Sequence, residues 1–454
     1  MSEKESAMTS QPLPESSRIA AYNALQYLSS PYRFYERAFA QHGDTFLFHG
    51  PNGPVVLTRN PEHVKTIFTL DTSQIGIYPE DGIDVVTGPN SILVITDEKH
   101  RRERKLLGPP FHGARMRAYG QVMQKAVQQE MRSWREGEVV DFQGAMQRIS
   151  LSVIANAVFG LADPEESART QKLAVTYMES LSPLMLFFPA LRREYFGFKL
   201  FAKTYETRRE MENALAARIA ESRSRPPSED ILSMMIHAHY DDGSTMSDAQ
   251  IQDELFTLLL AGHETTALGL SWMFYHLYRN PETLVKLRQE LHALGSHPEA
   301  ESIAQCRYLD ACANESLRLY PVVAETFRKL RVPIELGPYT VPAGHAVSVS
   351  AIGVHHNPAI YPNPQRFRPE RFLEHKFTPF EFVPFGGGTR RCLGAAFANY
   401  EMKLVAHEIL SHAELALAND KEIKPVMRGA TFGPKGGVPM RVLRLSLPQA
   451  GLPN

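Results

Sequence analysis

A single cysteine, Cys392, follows a glycine-rich stretch and precedes a run of good helix formers. Four glycines in the ten residues Phe385–Gly394 allow tight turns and a close approach to a flat ligand. The N–H groups and positive end of a helix beginning after Cys392 would favour a thiolate and could donate to its sulfur. Such a thiolate can be a nucleophile, a redox thiol or a metal ligand. No second cysteine lies within three residues, which argues against a CxxC redox pair or a zinc knuckle and leaves a buried, inert cysteine as the alternative.

A second set of chemically capable residues lies at the centre of a long predicted helix, Met246–Arg279. Gly262 weakens a helix, Glu264 is a carboxylate that needs a partner when buried, and Thr265 can hydrogen-bond back to the carbonyl of Ala261. Three locally unfavourable residues in one turn indicate a functional site. A buried structural kink is the alternative interpretation.

The glycine-rich stretch resembles a known motif. The pattern F-x-x-G-x-R-x-C-x-G, formed by Phe385, Gly388, Arg390, Cys392 and Gly394, resembles the heme-binding loop of the cytochrome P450 family, the heme-thiolate monooxygenases. The resemblance implies that heme b is the cofactor and that Cys392 is the metal ligand. Three further motifs follow the family's order.

The centre of the long helix resembles the family's oxygen-binding groove, in which Glu264 and Thr265 would be the catalytic residues that govern proton delivery. Glu315 and Arg318, three residues apart, resemble the family's E-x-x-R motif. Arg371 resembles the arginine that completes a structural Glu–Arg–Arg cluster behind the heme. This cluster would hold the loop that presents the cysteine.

The resemblance also implies a set of cofactor contacts, in which cations would neutralise the heme propionates and small residues would leave space over the ring. These contacts are His100, Arg104, Ala261, Gly262, Arg328, Phe385, Gly386, Arg390, Cys392 and Gly394. The alternative for the first two is a solvated basic helix face. The substrate pocket would be lined by Val322, Val323, Thr326, Thr431 and Phe432.

Composition excludes several classes of protein. The 454 residues are 43% hydrophobic, with mean hydropathy −0.27, and the net charge of −1 selects neither nucleic acid nor an anionic membrane. Three cysteines cannot form a disulfide framework, which favours a cytoplasmic location. The N-terminal residues contain no signal-peptide core or membrane anchor. Together with the resemblance, this predicts a soluble bacterial enzyme, expected to be a monomer.

The expected reaction inserts one atom of O₂ into an apolar substrate by hydroxylation or epoxidation, and a fatty acid, terpenoid or steroid-like molecule is favoured. Electrons would come from a separate ferredoxin and ferredoxin reductase. Cations of the basic segment before Leu106 would form the donor's docking patch: Lys99, Arg101, Arg102 and Lys105. The alternatives are a heme-thiolate peroxygenase or isomerase that uses no reductant, and a non-catalytic heme carrier or gas sensor.

The predicted fold is mainly α with a minor β-region, a P450-type single domain with a long central helix over the heme. Residues 1–17 are predicted to be disordered, and 18–454 to form the heme-thiolate catalytic domain. A hairpin is predicted at 44–58, strands at Thr326–Val332 and Ala346–Ser350, and a hydrophobic connection at 182–189. The other predicted helices are Tyr22–Gln41, Arg115–Glu136, Phe142–Phe159, Glu165–Leu181, Phe198–Ser222 and Tyr308–Leu319.

Overall fold

The computed structural model describes residues 11–79, 83–160, 164–181, 185, 192 and 200–447. Within these residues helices dominate and carry most of the buried core. None of the described helices combines the length and apolar character needed to cross a membrane. The predicted connection at 182–189 lies outside the described residues except for Met185, and so do residues 1–10 of the predicted disordered segment.

The mainly helical prediction is confirmed, and the predicted helix Phe142–Phe159 begins and ends where expected. In chain order, the α-helices of the described residues are α1 Ala20–Ser29, α2 Pro31–His42, α3 Pro61–Phe68, α4 Ile83–Thr87, α5 Asp97–Leu107, α6 Ala114–Met131, α7 Phe142–Phe159, α8 Pro164–Ser180, α9 Ala202–Ser224, α10 Ile231–His237, α11 Asp248–Arg279, α12 Pro281–His292, α13 Ala300–Ala304, α14 Arg307–Leu319, α15 Ala351–His355, α16 Arg371–Glu374 and α17 Ala395–His412.

Helix α11 is the central element. It has 32 residues, about 48 Å at 1.5 Å per residue. Ser247 caps its start by accepting from the Gln250 N–H, and the Gln250 side chain accepts from the Ser247 N–H, a capping box that raises helix stability. Helix α7 packs along it, and both are buried over most of their length. The helix therefore runs through the core and carries its central residues into the interior.

Small sheets flank the helices. The strands are β1 Thr45–Gly50, β2 Gly53–Thr58, β3 Ile75–Gly76, β4 Val139–Asp141, β5 Glu325–Leu330, β6 Ile334–Leu336, β7 Tyr339–Val341, β8 Ala346–Ser350, β9 Ala413–Leu417, β10 Pro425–Arg428, β11 Thr431–Pro434 and β12 Pro439–Leu445. The largest sheet has the order β1-β2-β8-β5-β3, and only its β2–β8 pair is parallel. The predicted hairpin is confirmed as β1–β2, with Gly50 opposite Gly53 across the turn.

Residues 11–17 differ from the predicted disorder. The Leu47 N–H donates to Pro14 O at 2.8 Å, and the Ser16 N–H donates to Leu47 O at 2.9 Å. Because β1 lies at the sheet edge, its outer N–H and C=O groups have no partner strand and recruit this segment. A polar composition alone did not reveal that edge.

Candidate functional site

Cys392 lies at the end of a loop that closes on itself. The Cys392 N–H donates to Phe385 O at 3.0 Å, and α17 begins three residues later with Gly394 as its N-cap. The start of the loop is held by Val383, whose N–H donates to Nε2 of the fully buried His355 at 2.9 Å. The loop is thus fixed at both ends, and the predicted placement of the cysteine between glycine-rich loop and helix is what the structure shows.

Two glycines of this loop have a packing role that the sequence did not indicate. A Cβ at Gly387 would lie 2.0 Å from Phe68 Cδ2, and a Cβ at Gly388 would lie 2.0 Å from Phe68 O. Gly388 also has φ +67°, a left-handed conformation that favours glycine. These glycines let the loop pack against the end of α3, so their presence does not by itself require a flat ligand.

The Cys392 side chain remains accessible although protein surrounds it on most sides. Burial raises the pKa of its thiol above the ordinary value, which opposes the thiolate expected from the helix end. A hydrogen bond from the Gly394 N–H lowers that pKa, and so do the charges of Arg104 and Arg391. The N–H donation predicted for residues after the cysteine is therefore present, and a bound metal ion would supply the missing stabilisation of the thiolate.

Four basic side chains meet beside this loop. Burial and the neighbouring guanidinium groups of Arg390, Arg104 and Arg328 lower the pKa of His100 to about 4. Burial and Arg390 lower the pKa of Arg328 to about 10. The guanidinium groups thus act on one another and on a neutral His100, and positive charges so placed repel one another unless an anion lies among them.

The cations find few partners within the chain. Arg390 Nη2 donates to Ile95 O at 2.6 Å, and Arg328 Nη1 donates to Phe327 O at 2.7 Å. Nδ1 of His100 and Nε of Arg390 are buried without a hydrogen bond among the described residues. Asp97, whose charge acts on Arg390, is itself bonded to Arg331 at 2.5 Å. The cluster therefore has hydrogen-bond donors without acceptors and a positive charge, and both could bind an anionic group.

The centre of α11 is the second part of the site. The buried run of this helix is interrupted at 260–262 and at 264–265 and resumes at Thr266. Thr265 Oγ1 donates to Ala261 O at 2.6 Å, as predicted. Burial raises the pKa of the Glu264 carboxyl and the charge of Arg428 lowers it, with burial the larger effect. This turn thus holds the Glu264 carboxyl, which burial shifts towards its protonated form, and the partly accessible hydroxyl of Thr265.

Gly262 also has a packing role. A Cβ at this position would lie 2.9 Å from Ile154 Cγ1 on α7, so the absent side chain makes room for the neighbouring helix. Ala261 instead presents the exposed methyl group of this turn. His263 is buried, and burial lowers the pKa of its imidazole to about 4, which keeps the ring neutral.

The predicted structural cluster forms as expected. Glu315 Oε2 accepts from Arg318 Nε at 2.7 Å, and Glu315 Oε1 accepts from Arg371 Nε at 3.0 Å. Oε1 also accepts from the Arg368 N–H at 2.8 Å, and Arg318 Nη1 donates to His355 O at 2.8 Å. Because the ring of His355 in turn accepts from the Val383 N–H at the loop start, the cluster is connected to the cysteine loop through one residue.

The residues predicted to line a substrate pocket separate into two groups. Val323 is 41% exposed and Thr326 is half-buried, so both present accessible surface. Val322, Thr431 and Phe432 are buried, and the Phe432 N–H donates to Val322 O at 2.8 Å. Phe432 packs in an aromatic cluster around β1 and α2. These three residues support the pocket wall and expose little side chain to a ligand.

The cations of the predicted docking patch on α5 bond to side chains of the same protein. They are bonded to other parts of the chain: Lys105 to Asp241 at 2.7 Å, Arg102 to Asp242 at 3.0 Å, Arg101 to Asp71 at 3.4 Å and Lys99 to Asn90 at 2.9 Å. Arg391, next to the cysteine, is exposed and forms no ion pair among the described residues. The free positive charge therefore lies nearer to Cys392 than the sequence suggested.

Sequence reasoning missed several buried or inward-facing charges. Burial raises the pKa of Glu254, in α11, to about 9, and that of Glu325, in β5, to about 8. Arg428, at the end of β10, acts on Glu264 although 164 positions separate them. None of these residues lies in a motif, and no local signal distinguishes them from surface charges.

Comparison with known proteins agrees with this arrangement. The profile of the cytochrome P450 family matches residues 12–438. This chain belongs to the cytochrome P450 family. The Mycobacterium tuberculosis protein named cytochrome P450 138 is 32% identical over 92% of each chain, and cytochrome P450 135B1 of the same species is 33% identical over 96% of this chain and 93% of the relative.

Solved structures give the same fold. A structure described as retinoic acid bound cyanobacterial CYP120A1 superposes with a TM-score of 0.84 at 27% identity, covering 96% of this chain and all of that one. The heme domain of a P450DA mutant gives a TM-score of 0.83 at 22% identity over 96% of this chain and supports the fold alone. The P450-type fold expected from the motifs is confirmed.

Heme b is the cofactor of this cytochrome P450, and the chain is an oxygenase. The residues at the site also fit a heme. Heme b carries two carboxylates, and in the described part of the chain no ion pair joins the four basic side chains to an acidic residue. The accessible Cys392 sulfur lies within the electrostatic reach of Arg104, which also acts on His100, so sulfur and cations border one site.

Proposed function

We propose that Cys392 is the axial ligand of the heme and that His100, Arg104, Arg328 and Arg390 hold its propionates. The observation that carries this proposal is the meeting of these four basic side chains without an ion-pair partner in the described part of the chain. Arginine pairs with carboxylates through two parallel hydrogen bonds, so a dianionic group would relieve the repulsion. When bound, the heme supplies the iron at which dioxygen is activated.

Glu264 and Thr265 are the proposed proton-handling pair. The hydroxyl of Thr265 is accessible and its position is fixed by the bond to Ala261 O. Burial raises the pKa of the Glu264 carboxyl, which lets this group hold and release a proton closer to neutral pH than an exposed glutamate does. The two groups would pass protons into the pocket while the surrounding apolar residues of α7 and α11 limit water.

The proposed substrate is an apolar molecule such as a fatty acid, terpenoid or steroid-like compound. Val323 and Ala261 are accessible apolar residues among those predicted to line the site, and aromatic residues of the β1–α2 cluster pack around Phe432. The cyanobacterial relative of known structure is described as bound to retinoic acid, a largely apolar molecule that ends in a carboxylic acid. The proposed products are hydroxylated or epoxidised derivatives.

A ferredoxin with its reductase is the proposed electron source, and the enzyme is proposed to act as a monomer. An acidic donor would dock at Arg391 beside Cys392, since the α5 cations are engaged within the chain. All three cysteines are unpaired, in keeping with the reducing cytoplasmic compartment proposed from the sequence.

Product formation tests the proposal directly. Purified holoprotein is supplied with an apolar substrate and either ferredoxin, reductase and NAD(P)H, or hydrogen peroxide alone. Reductant-dependent product with one labelled oxygen atom from ¹⁸O₂ is expected. Turnover with peroxide but none with the complete reducing system would favour a peroxygenase instead.

A further inference from the structure

Arg428 occupies the last position of β10, where the chain turns into β11. Arg428 pairs with Thr431 across the turn, and Gly429 between them has φ +61°. Thr431 Oγ1 donates to Arg428 O at 2.8 Å, and the Phe432 N–H donates to Val322 O on the pocket wall. The backbone at Arg428 is therefore held by hydrogen bonds at the border of the predicted substrate region.

The side chain of Arg428 extends towards α11. A Cβ built on Gly433 would lie 3.1 Å from Arg428 Cδ and 2.7 Å from Leu268 Cδ2, so both side chains pass over the same glycine. Leu268 follows Glu264 by one helical turn and lies on the same face. The arginine stem thus lies beside α11, one helical turn after Glu264.

The guanidinium group of Arg428 makes no ion pair and no side-chain hydrogen bond among the described residues, and the residue is exposed. The charge of Arg428 lowers the pKa of the Glu264 carboxyl, although no hydrogen bond or ion pair joins the two side chains among the described residues. Ala261 and Val323, which were predicted to line the site, are exposed and apolar. The wall of the site therefore combines apolar surface with one cation that lacks a partner.

We propose that Arg428 binds the carboxylate of the substrate, which makes the substrate an apolar acid. This proposal rests on the proposed function and narrows its substrate class from any apolar molecule to one that ends in an anion. An arginine accepts a carboxylate in a bidentate geometry, whereas a neutral ester offers no charge to the same group. The cation then fixes which end of an elongated substrate lies near α11.

Binding of matched probes tests this without electron transfer. Equilibrium dialysis of the holoprotein measures dissociation constants for dodecanoic and hexadecanoic acids and for their methyl esters at neutral pH. Arg428→Gln is expected to weaken acid binding by about 10- to 100-fold, the usual range for a lost hydrogen bond to a charged group. Ester binding is expected to change less than about twofold, because no charge-assisted contact is lost.

Two further variants control the comparison. Arg428→Lys keeps the positive charge and is expected to retain part of the preference for the acids. Lys424→Gln removes an exposed charge just before the same hairpin and is expected to leave both ligand classes unaffected. Absence of acid binding by the wild type, equal affinity for acid and ester, or equal loss of both in Arg428→Gln would overturn the proposal.

Failure of this proposal is distinguishable from failure of the proposed function. If the acids bind through Arg428 but no reductant-dependent product forms, the monooxygenase assignment fails, whereas binding of the carboxylate by Arg428 is supported. If product forms from esters and acids alike with equal dissociation constants, the reaction stands and the role of Arg428 is refuted.

Discussion

Replacing Glu315 by alanine should remove the centre of the Glu315–Arg318–Arg371 cluster. Both carboxylate oxygens are buried and together accept four hydrogen bonds, three from guanidinium groups and one from a backbone N–H. The alanine variant leaves two buried guanidinium groups without their anion. It also leaves the Arg368 backbone N–H without its acceptor and frees Arg318, which donates to the carbonyl of His355 beside the cysteine loop.

The expected size of the effect follows from burial. Glu315 and Arg318 are fully buried and Arg371 is 4% exposed, so solvent cannot replace the lost partner. Removing one member of a buried ion pair costs about 3–5 kcal/mol. That is a large fraction of the roughly 5–15 kcal/mol by which folded domains are stable, so the variant should unfold at much lower urea concentration.

Urea unfolding followed by circular dichroism, together with heme content per chain, measures the effect. Glu315→Gln keeps the shape without the charge and should fall between wild type and Glu315→Ala. Glu374→Ala is the matched control, because Glu374 pairs with Arg368 at an exposed site and should contribute about 0–1 kcal/mol. An exposed ion pair contributes up to about 1 kcal/mol. If the free energy of unfolding of Glu315→Ala lies within that range of the wild-type value, and the variant binds heme normally, the cluster does not hold the loop.

Three other perturbations address separate parts of the account. Thr265→Ala removes the accessible hydroxyl and should raise peroxide release per NAD(P)H consumed; unchanged coupling would refute the proton role. Burial raises the pKa of Glu254 to about 9, so the folded state keeps a proton that the unfolded state loses above about pH 5, and stability should fall as the pH rises towards 9. Between pH 6 and 8 the free energy of unfolding should fall by about 2–3 kcal/mol because of this group. Urea unfolding of Glu254→Gln should show a correspondingly weaker dependence of that free energy on pH. The same pH dependence in both proteins would contradict a buried neutral carboxyl. Arg391→Glu should slow reduction by a ferredoxin in low salt while Lys105→Glu, at a paired site, should change it little; the reverse order would place the donor on α5.

Features set by neighbouring residues could be read from the sequence. The capping box at Ser247 and the back-bond of Thr265 depend on groups within four residues, so residue type and spacing predict them. The position of Cys392 between a glycine-rich loop and a helix follows from the same local rules. The pairing of Glu315 with Arg371, 56 residues away, came only from the family resemblance.

Features set by the tertiary arrangement could not be read in this way. The glycines at 387 and 388 admit Phe68, and Gly262 admits Ile154, because distant segments meet there. The α5 cations find aspartates at positions 71, 241 and 242, which turns an expected free patch into a set of ion pairs. Arg428 reaches α11 from the far end of the chain. In each case the sequence gives the residue type but does not indicate which distant residue it contacts.

The central claim is that Cys392 binds the iron of the heme. The absorption spectrum of the reduced protein with carbon monoxide, recorded for the wild type, Cys392→Ser and the control Cys306→Ser, tests it most directly. A strongly red-shifted Soret band in the wild type and in Cys306→Ser, lost in Cys392→Ser, is the predicted result. A histidine-type band in the wild type, or a red-shifted band that survives in Cys392→Ser, would contradict it.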